Sequence, residues 1–346
     1  MTYRFDEIAI NSTAKKKPVE SDKFHYVGLE HIDSGSFEIT RWGSDVAPVG
    51  EKLIMQKGDV LFGKRRAYQR KVAIAPFDGI FSAHGMVLRP KEDVICKEFF
   101  PFFLSSNQFM DTAIRISVGG LSPTINWKDL QKQEFELPSV EEQRILAEKL
   151  WAAYELKEAY KKMIAATDEM VKSQFIEMFE RPEQSKSRLG DFVSIRTGKL
   201  DANAASKNGL YPFFTCGTET LSIDTYAFDC EAVLLAGNGE FCVKYYNGRF
   251  NAYQRTYVIE SKDKTVLSVP FLFAWLQQYA DKLKEIAIGG VIKYIKMGDL
   301  TEASIYIPSI EKQNQFVAIA QQADKSKFEL QQAIDKIDKV MKSLLQ

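Results

Sequence analysis

The chain has little that could do covalent chemistry. Its three histidines, His25, His31 and His84, share neither metal-ligand spacing nor a neighbouring nucleophile motif. Each reads as a surface or packing histidine. Its four cysteines, Cys96, Cys216, Cys230 and Cys242, include no C-x-x-C and read as free thiols of a reducing cytoplasm. No G-x-S-x-G occurs. Gly58-x4-Gly63-Lys64 imitates a phosphate loop, but Arg65 stands where Ser or Thr must meet magnesium. Gly237-Asn238-Gly239 lacks the third glycine of a dinucleotide fingerprint. The Asn/Asp-Pro-Pro-aromatic run of enzymes that methylate base amino groups is absent too. The longest apolar run, Phe99–Leu104, contains Pro101 and is far too short to span a bilayer. Met1–Glu20 has no apolar centre, so no signal peptide is expected. Neither charge sign is in excess, with 46 basic and 46 acidic residues, which argues against indiscriminate coating of nucleic acid. These absences leave a soluble binding module as the expectation.

What the chain does have is an internal copy. Gly119-Gly120 recurs at Gly289-Gly290, a shift of 170, and the shift holds without a gap through the residues that follow. Asp129-Leu130 returns as Asp299-Leu300, Pro138-Ser139 as Pro308-Ser309, and Glu141 and Gln143 as Glu311 and Gln313. Upstream the match is looser. Asp59–Phe62 resembles Ala232–Leu235, and Phe81–His84 resembles Phe250–Tyr253. The stretches 64–71 and 237–244 diverge. One long-period duplication predicts two similar domains about a pseudo-two-fold axis, not a solenoid. A shared frame with divergent loops suits interchangeable recognition surfaces, and also suits plain drift after duplication. A hydrophobic share of 45% over 346 residues supplies cores for two or three domains.

Patterning predicts an α+β architecture. Residues 1–138 and 182–308 read as mixed α/β domains, separated by long helices over 139–181 and 309–346. In the first domain, Asp59–Phe62, Lys71–Ala75 and Phe81–Leu88 are β-rich runs around a Pro76–Gly79 turn. Glu98–Arg115 reads as a helix with proline in its first turn. In the second, Glu231–Leu235, Phe241–Tyr246 and Arg249–Ile259 read as strands with an Asn247-Gly248 hairpin turn, and Pro270–Ile286 as the helix. Ser139 with Glu142 three residues on forms a capping box, and Pro182 is expected to stop the helix it opens. Ala153, Leu156, Tyr160, Met163, Thr167, Met170 and Gln174 repeat at steps of three and four. Ala323, Ser326, Leu330, Ala333, Ile337, Val340 and Leu344 do the same. Two seams in register predict an antiparallel intramolecular coiled coil.

Two kinds of segment carry recognisable binding chemistry. Lys64, Arg65, Arg66, Tyr68, Gln69, Arg70 and Lys71 form the densest cationic cluster, between two strands. Arginine forks match guanine edges, glutamine matches adenine, and lysine neutralises phosphate. A solvated charged hairpin has the same composition. The corresponding region of the second domain offers Asn238, Lys244, Tyr245 and Arg249, then Tyr253, Gln254 and Arg255. It has fewer charges and more amides and phenols. The second kind of segment is the glycine turn, with Ser122, Thr124 and Asn126 in one copy and Lys293 in the other. Paired glycines allow close approach to a ligand, and equally end a helix.

The order of these elements resembles the specificity (S) subunits of type I restriction–modification systems. The resemblance covers essentially the whole chain. It rests on Gly58–Phe62, on Gly119–Leu130 running into Phe135–Pro138, and on Glu141-Glu142-Gln143 opening a long helix, each echoed downstream. Its most specific element is Leu137-Pro138-x-x-Glu141-x-Gln143, which returns as Ile307-Pro308-x-x-Glu311-x-Gln313. Lys293–Lys296 departs from the more usual polar, proline-containing run. The resemblance implies two target-recognition domains, each binding half of a split double-stranded DNA sequence. It implies paired helices that space them and dock two methyltransferase (M) subunits, with restriction (R) subunits joining indirectly. It further implies a non-catalytic chain: S-adenosylmethionine, ATP and magnesium would be used by the partner subunits. A coiled-coil interaction scaffold without DNA readout is the competing expectation.

Overall fold

A computed structural model describes residues 1–180 and 185–346. Its contacts divide the chain into two units, Met1–Lys161 with Gln332–Gln346, and Lys162–Gln331. The spacer segments 139–181 and 309–346 are thus shared between the units.

The first unit is built on two four-stranded sheets. One orders β1 (Ala9–Ser12), β6 (Met86–Pro90), β3 (Val60–Phe62) and β4 (Val72–Ile74), all antiparallel. The other sets β2 (Lys52–Met55) beside β5 (Gly79–Phe81), with Lys15–Lys16 and Tyr26–Val27 at its edges. The run Val60-Leu61-Phe62 is apolar throughout because both its faces are covered. Val60 and Phe62 pack into the core with the helices, whereas Leu61 packs with Val27, Met55 and Phe81. The single strand expected over Phe81–Leu88 is two strands in different sheets. The chain turns at Ser82–Gly85, where Gly85 N–H donates to Ser82 O at 3.0 Å and a Cβ would strike the Phe81 ring. Continuous apolar residues hid that corner. The expected helix over Glu98–Arg115 is also two, α1 (Phe100–Ser105) and α2 (Asn107–Arg115). Ser106 breaks it: its hydroxyl accepts from Phe109 N–H and donates to Phe103 O, so it caps one helix and closes the other.

The second unit has a six-stranded sheet ordered β7 (Val193–Thr197), β12 (Thr256–Ser261), β10 (Phe228–Ala236), β11 (Val243–Ala252), β8 (Tyr211–Phe214) and β9 (Leu221–Ile223). Only β8 and β11 pair in parallel. Helix α4 (Val269–Ile286) packs on it through Phe271, Leu272, Trp275 and Leu276. The Asn247-Gly248 hairpin turn is absent. Both residues lie inside β11, opposite Glu231 and Cys230 of β10. The long partner strand overrides the local turn preference, and the chain reverses instead at 237–242, where Phe241 takes φ 51°.

The two long helices are α3 (Val140–Phe179) and α5 (Ile310–Leu344). Forty residues at ~1.5 Å each make α3 about 60 Å long. Its capping box is present: Ser139 N–H donates to Glu142 Oε2 at 2.9 Å, and Glu142 N–H returns to Ser139 Oγ at 3.3 Å. Residues 181–184, and with them the stop assigned to Pro182, lie outside the described residues. The helices run antiparallel. In the first unit Lys157 Nζ meets Asp338 Oδ1 at 2.6 Å, and in the second Lys327 Nζ meets Asp168 Oδ1 at 2.7 Å. The seam expected on α3 is half displaced. Ala153, Tyr160, Thr167 and Gln174 are half-buried, but Leu156, Met163 and Met170 are exposed, and Lys157, Ile164 and Val171 take their places. On α5, Val340 is exposed and Met341 is covered. Adjacent apolar residues made two frames equally good by spacing. A lysine in the stripe counted against the right one, although Asp338 neutralises it.

The Leu-Pro-x-x-Glu-x-Gln element has a structural cause. Gln143 is fully buried. Its Oε1 accepts from Cys96 N–H at 2.8 Å, and its Nε2 donates to Val94 O at 3.1 Å and Pro138 O at 2.9 Å. Gln313, also fully buried, makes the same set with Ser268 N–H, Val266 O and Pro308 O at 2.9, 2.7 and 2.9 Å. In each unit one amide thus ties the long helix to the strand-to-helix loop and to its own entry segment. Entry is clipped by a second device: Thr2–Arg4 pairs with Glu134–Glu136, and Ser187–Arg188 with Ser304–Ile305.

Candidate nucleic-acid interface

In the first unit the cationic loop and the glycine turn, separate candidates in the sequence, are one structure. Residues 63–71 connect β3 to β4, closed by Gly63 N–H to Lys71 O at 2.9 Å. Within the loop Ala67 is buried, and Arg66 and Arg70 sit in the left-handed region at φ 55° and 52° around a short 3-10 turn. Non-glycine residues hold that conformation only where surroundings enforce it. Here Arg65 N–H donates to His84 O at 3.1 Å and Arg66 N–H to Pro123 O at 2.7 Å. Ile125 N–H donates back to Lys64 O at 3.0 Å. The glycine hairpin, closed between Val118 and Thr124, is therefore bonded along its edge to the cationic loop.

The side chains divide by role. Arg70 donates to Ser105 O and Asn107 Oδ1 at 3.1 and 2.8 Å, and Lys71 Nζ to Leu29 O at 2.6 Å, so these two brace the loop. Lys64 is half-buried, and burial followed by repulsion from Lys15 lowers its pKa. Arg65, Arg66, Tyr68 and Gln69 remain for a ligand. Arg66 Nε contacts Ser122 Oγ at 3.1 Å, and Arg65 Nη1 lies 3.4 Å from His84 Nε2. Thr124 pairs with Val118 through its backbone and its Oγ1 donates to Ser122 O at 3.3 Å, while Asn126 stands exposed before the short helix Trp127–Leu130. An open groove of about 300 Å³ lies among Tyr26, Glu30, Arg65, Arg66, Gln69 and His84. His84 was not foreseen. Burial first, then Arg65, Lys64 and Lys52, lowers its pKa and favours the neutral ring. Its match to Tyr253 across the duplication was the signal available.

The second unit repeats the construction with other side chains. Asn238 and Ile288 both pair with Tyr294, Gly239 N–H donates to Lys293 O at 3.0 Å, and Ile295 N–H to Gly237 O at 3.0 Å. The turn carrying Tyr253, Gln254 and Arg255 joins them through Gly237 N–H to Arg255 O at 2.8 Å. A groove of about 300 Å³ lies among Thr197, Gly237, Gln254, Arg255 and Tyr294. Lys293 Nζ lies 3.5 Å from Lys284 O. Three expected residues are engaged elsewhere. Lys244 Nζ braces the loop at Gly217 O and Glu219 O, Tyr245 donates to Glu231 Oε1 at 2.7 Å, and Arg249 pairs with Asp229 at 3.0 Å over the Tyr226 ring. Burial, then the Glu231 bond, pushes the Tyr245 hydroxyl up to about 12.

No helix among the described residues is long and apolar enough to cross a membrane. A family model described as type I restriction modification DNA specificity domain matches residues 7–165 and again 182–339. The specificity subunit of the type I restriction enzyme EcoDI, from Escherichia coli, is 49% identical over 125 residues, which are 36% of this chain and 28% of that protein. The crystal structure of the S subunit of a type I restriction–modification system from M. genitalium is similar over 100% of this chain and 94% of its own, with TM-score 0.62 and 14% identity. A chain from a structure on assembly and conformational transition of the type I R-M system is similar over 100% of this chain and 96% of its own, with TM-score 0.58 and 19% identity. The last two speak for the fold alone. The family model takes in each unit's sheets, cationic or amide-rich loop, glycine hairpin and buried glutamine, and on that ground the chain belongs to the type I restriction modification DNA specificity domain family, whose domain it carries twice.

Proposed function

We propose that this chain is the DNA-reading subunit of a type I restriction–modification complex. Each unit reads one half of a split double-stranded target with its loop-on-hairpin surface. One observation carries the reading: the same scaffold of loop, glycine hairpin and groove occurs twice with different polar edges, Tyr26, Glu30, Arg65, Arg66, Gln69 and His84 at one and Thr197, Gln254, Arg255, Tyr257 and Tyr294 at the other. A repeated frame with different polar edges is what reading two different short sequences requires. Two methyltransferase subunits would dock on the long helices and supply S-adenosylmethionine chemistry. Restriction subunits, using ATP and magnesium, would join through them. The chain itself would contribute recognition and no catalysis.

Gel shifts with the purified methyltransferase subunit test this. Tight binding to one defined duplex, weakening as salt rises with a slope of roughly −0.9 per phosphate neutralised, supports the reading. Assembly with the methyltransferase subunit but no duplex preference, at any salt, would leave the interaction scaffold in its place.

A further inference from the structure

We propose that each glycine hairpin carries an apolar wedge that enters the base stack of the target. This rests on the DNA-reading function above and adds a mode of contact to it. Gly119 and Gly289, at φ 114° and 123°, let each hairpin turn sharply. Val118 and Thr124 exchange backbone bonds at 3.0 and 2.9 Å, and Ile288 and Tyr294 do so at 3.0 and 2.8 Å. At the tips stand Leu121, 97% exposed, and Val291, fully exposed with Ile292 beside it. A lone exposed aliphatic residue is ordinary. Here the same position in both units raises one above a stem that main-chain bonds fix to the polar loop. Those bonds tie each tip's position to its loop.

The neighbours select the ligand. Arg66 reaches the first hairpin at Ser122, and Lys293 stands on the second. An aliphatic tip flanked by cations matches a polymer with charge outside and stacked apolar faces within. Apolar side chains inserted between base steps, with phosphates held alongside, unstack and kink DNA at the minor groove. Flexible pyrimidine–purine steps yield most readily, so such a step is expected in each half-target. A protein partner is less suited to so few projecting apolar side chains, Val118 and Leu121 on one hairpin and Ile288, Val291, Ile292 and Tyr294 on the other, since specific protein interfaces bury ~800 Å² per side.

The test uses the complex with its methyltransferase subunits. 2-Aminopurine is placed singly along the target, away from the adenines that become methylated. Wild type should raise its fluorescence at one step in each half. Leu121→Ser should abolish the rise in one half only and Val291→Ser in the other only, while Leu121→Phe should preserve it. Target affinity should fall no more than roughly tenfold, because the cost of unstacking is no longer incurred. Specific binding without any fluorescence rise overturns the wedge and leaves DNA reading intact. Failure of Leu121→Ser and Val291→Ser to assemble with the methyltransferase subunit would assign the tips to protein docking instead. No specific binding by wild type would sink the reading and the wedge together.

Discussion

Replacing Gln143 with methionine keeps the side chain's length and removes its hydrogen bonds. The substitution strands three backbone groups: Cys96 N–H, Val94 O and Pro138 O. A buried group left without its partner costs ~1–3 kcal/mol. The Cys96 bond is buried, whereas the bonds to Val94 and Pro138 are partly so, and water can relieve the two carbonyls. The expected total is therefore about 3–5 kcal/mol. For a unit of this size, 1 kcal/mol moves Tm by ~2–4 °C, giving a fall of roughly 6–20 °C. Gln313→Met should do the same to the second unit, whose one tryptophan among four is Trp275. Thermal melts read by tryptophan fluorescence, with Trp42, Trp127 and Trp151 removed for the second unit, separate the two effects. A loss below about 1 kcal/mol in both variants would refute the claim that this amide ties helix to domain.

Arg65→Ala should weaken target binding by about 1–3 kcal/mol and relax one half-sequence only, because main-chain bonds, not the guanidinium, hold the loop. Gel shifts on base-substituted duplexes read this. Asp59→Ala removes a buried carboxylate held by Arg89 Nε at 2.6 Å and Nη2 at 2.9 Å and should cost about 2–4 kcal/mol in a thermal melt. Lys327→Ala breaks partly exposed pairs with Asp168 and Asp324 and should cost less than ~1 kcal/mol in the same melt. At Cys230, burial and then a hydrogen bond to Glu260 push the thiol up to about 11. The reactive thiolate is therefore scarce at pH 9. Iodoacetamide labelling followed by mass spectrometry should find Cys230 slow at pH 9 and accelerating towards pH 11.

The sequence disclosed what depends on order and composition. The duplication, the α+β class, the capping box at Ser139 and the antiparallel pairing of two long helices were legible from spacing alone. Other features were not, each for a physical reason. Ser106 splits a helix because its hydroxyl bonds the backbone on both sides, a contact that the residue pattern over Glu98–Arg115 does not show. Asn247-Gly248 lies inside a strand because Phe228–Ala236 offers a longer ladder than a local hairpin could. Lys157 lies in the helix stripe because its neutralising carboxylate comes from a distant part of the chain. The candidate site divided in the same way. Residue types marked the loops at 64–71 and 119–126, and only the fold bonds one to the other. Which cations are braces, such as Arg70 and Lys71, was set by carbonyls remote in sequence.

The most direct test is to map methylated adenines across the genome of a host whose only type I system pairs this chain with its methyltransferase subunit. The account predicts one motif made of two short defined sequences separated by a fixed unspecified gap. It also predicts that exchanging residues 1–138 for those of another S subunit rewrites one of the two sequences and leaves the other untouched. A single uninterrupted motif, or an exchange that alters both sequences at once, would contradict it.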